Sequence, residues 1–171
     1  MESRLTKKPP ATLMLNNRQL ELPVYGGSVG PDAVDIRKLF SDGKVFTYDP
    51  GFTSTASCES QITYIDGDTG ILRYRGYPIE QLAEKATYLE VAYLILYGEL
   101  PNEKQLADWT HDITHHTFLH ESTKQLMQAF RYDAHPMGMF ISTVAALSTF
   151  YPEAGRIDDS ANRLYQIRRL I

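Results

Sequence analysis

The sequence predicts a mainly α fold with a small β-containing region at its N-terminal end. Three observations point there. From about residue 78 onward, apolar side chains recur at helical spacing, in segments punctuated by Gly98, Pro101 and Pro136. Ahead of that point, short extended runs flank turn-forming clusters at Asn16-Asn17 and Asp66-Gly67-Asp68-Thr69-Gly70. The composition, 43% hydrophobic and 22% charged over 171 residues, is that of a globular chain. It excludes a disordered tail, a collagenous repeat and a disulfide-framed miniprotein.

The elements follow in order. Residues 12–15 and 18–24 form a hairpin about Asn16-Asn17, because Asn tolerates the left-handed backbone of a tight turn. Gly26 to Gly30 is a loop without the P-loop Lys or the strand-to-helix glycine pattern of a phosphate cradle. Residues 31–40 predict a short helix, with Pro31 near its start, Asp32 and Asp35 in its first turns, and Val34, Ile36 and Leu39 on its apolar side. Residues 42–60 are polar and turn-rich. A second hairpin pairs 61–65 with 71–75. Helices follow over 78–86 and 88–97, the second introduced by Thr87, closed by Gly98, and apolar nearly all round, which predicts burial. Asn102 caps a helix running to about 117, and another covers 119–130. Pro136 breaks the chain at His135 and opens a helix over 137–150, rich in small and apolar residues. Residues 151–159 form a loop, and a last amphipathic helix begins near Ser160, with Leu164, Ile167, Leu170 and Ile171 at three- and four-residue steps. No stop signal follows it, so the expectation is a chain that belongs to something longer. Two domains are expected: a β-containing region over 1–60 and a helical part over 61–171.

Charge narrows the function. With 17 basic and 21 acidic side chains, the net charge is −4 and the pI about 5.7, which argues against a general nucleic-acid binder. One Cys makes no internal disulfide and fits a reducing compartment. No apolar h-region follows Arg4, Lys7 and Lys8, and the longest low-charge stretch, 136–151, is shorter than the ~20 residues of a membrane span. A cytoplasmic protein with no membrane or nucleic-acid partner is expected.

Chemistry-bearing patterns are few. His111, His115, His116 and His120 hold two pairs at i, i+4 spacing, which suits a metal on one helix face, but no third ligand is evident. Donors from His, Thr117 and Arg131 could instead meet an anion near a helix end. The run 66–70 superficially suggests calcium, yet the sixth and twelfth positions of a calcium loop hold Ile71 and Tyr77. Cys58 has no His neighbour in sequence to activate it. Arg73-Tyr74-Arg75 alternates as a strand with two faces does. Spacing alone supports no mechanism and assigns no metal.

A longer pattern carries more. The run FTYDPGFTSTASCESQITYIDGD over 46–68, continued by GILRYRGYPIEQLA over 70–83, then LEVAYL over 89–94, GELP over 98–101 and RYDAHPM over 131–137, resembles citrate synthases of the bacterial, Gram-negative type II. The resemblance implies the citrate synthase fold, here a partial large domain, and an enzyme condensing acetyl-CoA with oxaloacetate and water to give citrate and CoA. In that family an Asp takes a methyl proton, one His stabilises the enol and another polarises the oxaloacetate carbonyl. No residue of this chain matches those positions, so no catalytic residue is assigned, no cofactor is expected, and the segment is expected to be inactive alone. What the resemblance does place here is an allosteric NADH site, at His116, Thr117, Phe118, Tyr151 and Arg169. Arg169 and His116 suit phosphates, and Tyr151 offers a stacking face. Phe118 stands where the family often has Met, and His115 where it often has Arg or Lys; an assisting Lys would fall just past Ile171. The full-length protein is expected to be a homodimer or homohexamer. The competing expectations are an NADH-binding regulatory segment and a purely structural helical fragment.

Overall fold

The computed structural model describes residues 5–171. The chain divides into two compact units, one running to Thr87 and the other from Tyr88 to Ile171.

The first unit is built on two antiparallel sheets. Strands β1 (Thr6–Leu15) and β2 (Arg18–Gly26) form the expected hairpin, longer than the sequence signals indicated. Asn16 and Asn17 turn the chain at φ 45° and 65°, the left-handed pair that matches the natural twist of a hairpin. Register slips between Lys8 and Ala11, across Pro9-Pro10, where the backbone has no N–H to offer the ladder.

The segment expected to be a helix over 31–40 is instead a short strand, β3 (Ala33–Val34), followed by a five-residue helix, α1 (Leu39–Gly43). Val34 pairs with Val24 and Ala33 with Tyr25, and the Asp35 N–H donates to Pro23 O at 2.7 Å. The open edge of β2 satisfies these backbone groups at once, whereas a short isolated helix must first pay for its nucleus. Arg37 then locks the corner, gripping the Asp35 carboxylate through Nε and Nη2 at 2.9 and 2.6 Å. Leu22 and Leu39 are the buried hydrophobic side chains described in this layer.

The second sheet orders β4 (Thr63–Asp66), β5 (Ile71–Tyr74) and β6 (Tyr77–Pro78) as a meander. The Asp66 carboxylate accepts the N–H groups of Asp68 and Thr69 at 3.1 and 3.2 Å. The turn is thus closed by its own side chain. Helix α2 (Ile79–Lys85) follows and buries Leu82.

The second unit is helical. It comprises α3 (Tyr88–Tyr97), α4 (Glu103–Thr114), α5 (Glu121–Ala129), α6 (Pro136–Phe150), a 3-10 turn (Pro152–Gly155) and α7 (Ser160–Leu170). Gly98, at φ 94°, ends α3 where a left-handed residue is needed. A full capping box starts α4: Gln105 N–H donates to Asn102 Oδ1, and Asn102 N–H to Gln105 Oε1, both at 2.9 Å. Its Trp109 is the centre of the packing. The indole is 4% exposed, donates to Leu89 O at 3.1 Å, and meets Tyr93 and Tyr97 edge-on. Leu94 of α3 is fully buried.

Two helices begin on histidine. His120 Nδ1 accepts the N–H of Ser122, and His135 Nδ1 that of Met137, each at 3.2 Å. The His120 ring also stacks on Phe150, 4.8 Å between centroids.

Helix α3 is not buried as expected, and α6 is likewise open. In α3 only Leu94 is buried, and Tyr88 is 70% exposed. In α6 no residue is buried, and Phe140 and Ile141 are both 63% exposed. An apolar groove of about 300 Å³ runs between α3 and α7, lined by Val91, Ile95, Leu96, Ile167 and Leu170 among others. Helix apolarity all round calls for neighbours all round, and this unit supplies them on one side only.

Candidate functional site: an arginine held between two tyrosines

The chemistry of the helical unit collects around the last turns of α7. Asp159 caps that helix, accepting the N–H groups of Ala161 and Asn162 at 3.0 and 3.4 Å. Asn162 ties it to the preceding 3-10 turn, donating through Nδ2 to Glu153 O and Arg156 O, both at 2.9 Å. This fixes the register between the turn and the helix face bearing Tyr165 and Arg169, one helical turn apart.

Arg169 is enclosed on every side that matters to its chemistry. Its guanidinium carbon lies 4.0 Å from the Tyr151 ring centroid and 4.1 Å from that of Tyr165. Nη1 donates to Glu153 Oε1 at 2.6 Å, and Nη2 to the Tyr165 hydroxyl at 2.9 Å. Burial works against the charged guanidinium, but the bonds to Glu153 and Tyr165 outweigh it and raise the Arg169 pKa. The Glu153 carboxyl is lowered in turn, first by its own backbone N–H and then by Arg169.

A clasp between α4 and α7 stands beside this group. Asp112 Oδ2 and Arg168 Nε form an ion pair, 2.8 Å apart. His116, just past the end of α4, donates from Nδ1 to the Asp112 carbonyl at 2.6 Å and lies edge-on to Tyr165, 5.9 Å between centroids.

Of the five residues the resemblance pointed to, Tyr151 and Arg169 are in direct contact, and His116 reaches Arg169 through Tyr165. Thr117 and Phe118 are directed elsewhere: the Thr117 hydroxyl donates back to Thr114 O at 3.5 Å, and Phe118 is 89% exposed. Sequence reasoning missed Tyr165, Glu153, Asp112 and Arg168. The i, i+4 spacing of Tyr165 to Arg169 was a readable signal; the Glu153 contact, sixteen residues distant from Arg169, was not.

The remaining histidines do other work. The rings of His111 and His115 lie 3.8 Å apart, tilted by 33°, and His115 Nδ1 donates to His111 O at 2.7 Å. Among the described residues no three His, Cys, Asp or Glu side chains are arranged to hold a metal ion. Cys58 is exposed. Among the same residues no helix is long and apolar enough to cross a membrane.

Comparison with known proteins assigns this architecture. The family described as "Citrate synthase, C-terminal domain" matches residues 51–171. The chain is 61% identical over 137 residues to a protein of Dictyostelium discoideum named "Citrate synthase, peroxisomal", covering 76% of this chain and 28% of that one. It is 50% identical over 158 residues to a second "Citrate synthase" of the same organism, covering 89% of this chain and 30% of the relative. Among solved structures it resembles citrate synthase from Pyrobaculum aerophilum, with a TM-score of 0.60 and 31% identity over 71% of this chain and 33% of that one. It also resembles Thermoplasma acidophilum citrate synthase, solved as a ternary complex with carboxymethyl coenzyme A and oxaloacetate, with a TM-score of 0.56 and 28% identity over 59% and 27% of the two chains. The chain thus spans under a third of the two Dictyostelium relatives.

Proposed function

The chain belongs to the citrate synthase family, and from that premise we propose that it is the N-terminal segment of an enzyme condensing acetyl-CoA with oxaloacetate and water to give citrate and CoA, the entry step of the tricarboxylic acid cycle. The observation that carries this is the 61% identity to a named citrate synthase sustained over 137 residues. The run DPGFTSTASCES at 49–60 supports the Gram-negative type II subtype. None of the histidines is assigned a catalytic role. His120 and His135 start helices, His115 and His116 bond to backbone carbonyls, and the His111 ring lies against that of His115.

The segment alone is therefore expected to turn over nothing. Mixed with oxaloacetate and acetyl-CoA, it should release CoA thiol no faster than the mixture without protein. A chimaera that continues this chain with the remaining length of the Dictyostelium relative should release it readily. Thiol release by the segment alone would contradict its inactivity, and an inert, folded chimaera would contradict the enzymatic assignment.

A second role is supported by the Arg169 cluster: binding of NADH as an allosteric inhibitor, with Tyr151 and Arg169 at its heart, His116 alongside, and Thr117 and Phe118 at the margin. A guanidinium against aromatic rings suits a ligand that carries both phosphates and a flat base. Titration with NADH, followed by its fluorescence, should saturate in the wild type and fail in Arg169→Gln. The substrates would be small molecules, the full-length protein a homodimer or homohexamer, and its compartment the cytoplasm. A fluorescent fusion would distinguish that from the peroxisome named for one relative.

A further inference from the structure

We propose that Glu153 is a gate on Arg169: its carboxylate occupies the guanidinium edge that an incoming phosphate must take, so a phosphate-bearing ligand binds by displacing it. The proposal rests on reading the Arg169 cluster as an anion site, and it names the residue that regulates that site.

Arginine recognises phosphate through the in-plane N–H groups of its fork. The Arg169 guanidinium carbon lies over the Tyr151 ring at 4.0 Å and the Tyr165 ring at 4.1 Å, so aromatic rings already engage the plane of the group. Recognition is left to the edge. There Nη2 is engaged by the Tyr165 hydroxyl, a neutral partner, and Nη1 by the Glu153 carboxylate at 2.6 Å. The carboxylate is therefore the one anion already seated where a second would go.

Glu153 is also built to move without disturbing the fold. Its backbone is pinned, because its carbonyl accepts Asn162 Nδ2 at 2.9 Å and Arg156 N–H at 3.0 Å. Its side chain is 35% exposed, so the carboxylate has solvent to swing into while the turn stays in place. Displacement sacrifices the charge-assisted bond to Arg169 and loosens the contacts of the carboxylate with its own backbone N–H and with Gln166, and any incomplete swing leaves a carboxylate facing a phosphate. Glu153→Gln removes both penalties and keeps the shape.

The test titrates inorganic pyrophosphate and, separately, NADH into wild type, Glu153→Gln and Arg169→Gln by calorimetry at neutral pH. Glu153→Gln should bind pyrophosphate about tenfold more tightly than wild type, and Arg169→Gln should lose it. Should Glu153→Gln fail to fold, Glu153→Ala carries the same expectation. Equal or weaker pyrophosphate binding by the Glu153 variant, or none by any form, overturns the gate. If NADH still saturates the wild type in that case, the nucleotide reading survives without it. If pyrophosphate tightens while NADH binds no form, the gate stands and the nucleotide reading falls.

Discussion

Asp49 illustrates how much a single side chain organises. Its carboxylate accepts four bonds: from the Thr55 hydroxyl at 2.6 Å, and from the Ser54 N–H, Thr53 N–H and Thr53 hydroxyl at 3.0 Å. The Thr55 hydroxyl and the Ser54 N–H lead in holding its pKa down to about 2. A depressed acid stabilises above its ordinary value, here 3.8, and loses that contribution only as pH falls through about 2. The loop 49–55 should therefore stay closed at pH 3, where ordinary carboxylates are largely protonated. A carboxyl carbon NMR titration should find the Asp49 midpoint near 2, and a midpoint near 3.8 would refute the four-bond account. In Asp49→Ala, the Thr53 and Ser54 amides should exchange with solvent far faster. At this scale the sequence was only partly legible. It marked 42–60 as turn-rich but could not show one carboxylate collecting four donors. Tyr151 and Arg169 were found through the family resemblance. Tyr165, which contacts the arginine as Tyr151 does, was missed although it stands four residues earlier.

Elements were most readable where a local rule decides them. Asn102, Gly98 and Pro136 announce helix ends, and each stands where the structure uses it. Removing the capping box with Asn102→Ala should cost about 1 kcal/mol of stability, measurable by denaturant unfolding. A loss under a few tenths would mean that α4 is held by Trp109 alone. Elements were misread where distant partners decide. Residues 31–40 carry helical signals, but the free edge of β2 captures Ala33 and Val34 first. Disrupting that edge gives a check: Val34→Pro should expose the Val24 amide region to exchange while leaving the β1–β2 hairpin protected. His120 and His135 cap α5 and α6 although histidine is not among the usual cap residues, so each ring had to be seen in place.

Across the whole chain, apolar surface outruns the neighbours available to cover it. Phe140, Ile141 and Met137 project from α6 at 63%, 63% and 55% exposure. Exposed apolar clusters of this kind promote association, so sedimentation of the chain should depend on concentration and sharpen towards monomer in Phe140→Glu/Ile141→Glu. A wild-type monomer across the micromolar range would contradict this. The sequence foretold the apolar helices, and their open faces accord with the expectation of a structural helical fragment, because periodicity reports what a face prefers and not what is present to meet it. The histidines carry a last consequence. A backbone carbonyl only accepts, so His115 and His116 must hold hydrogen on Nδ1; a backbone N–H only donates, so His120 and His135 must keep that nitrogen bare and place hydrogen on Nε2. Four imidazoles are thereby sorted into two groups by whether Nδ1 carries hydrogen, a pattern that long-range proton–nitrogen spectra should display as two distinct pairs.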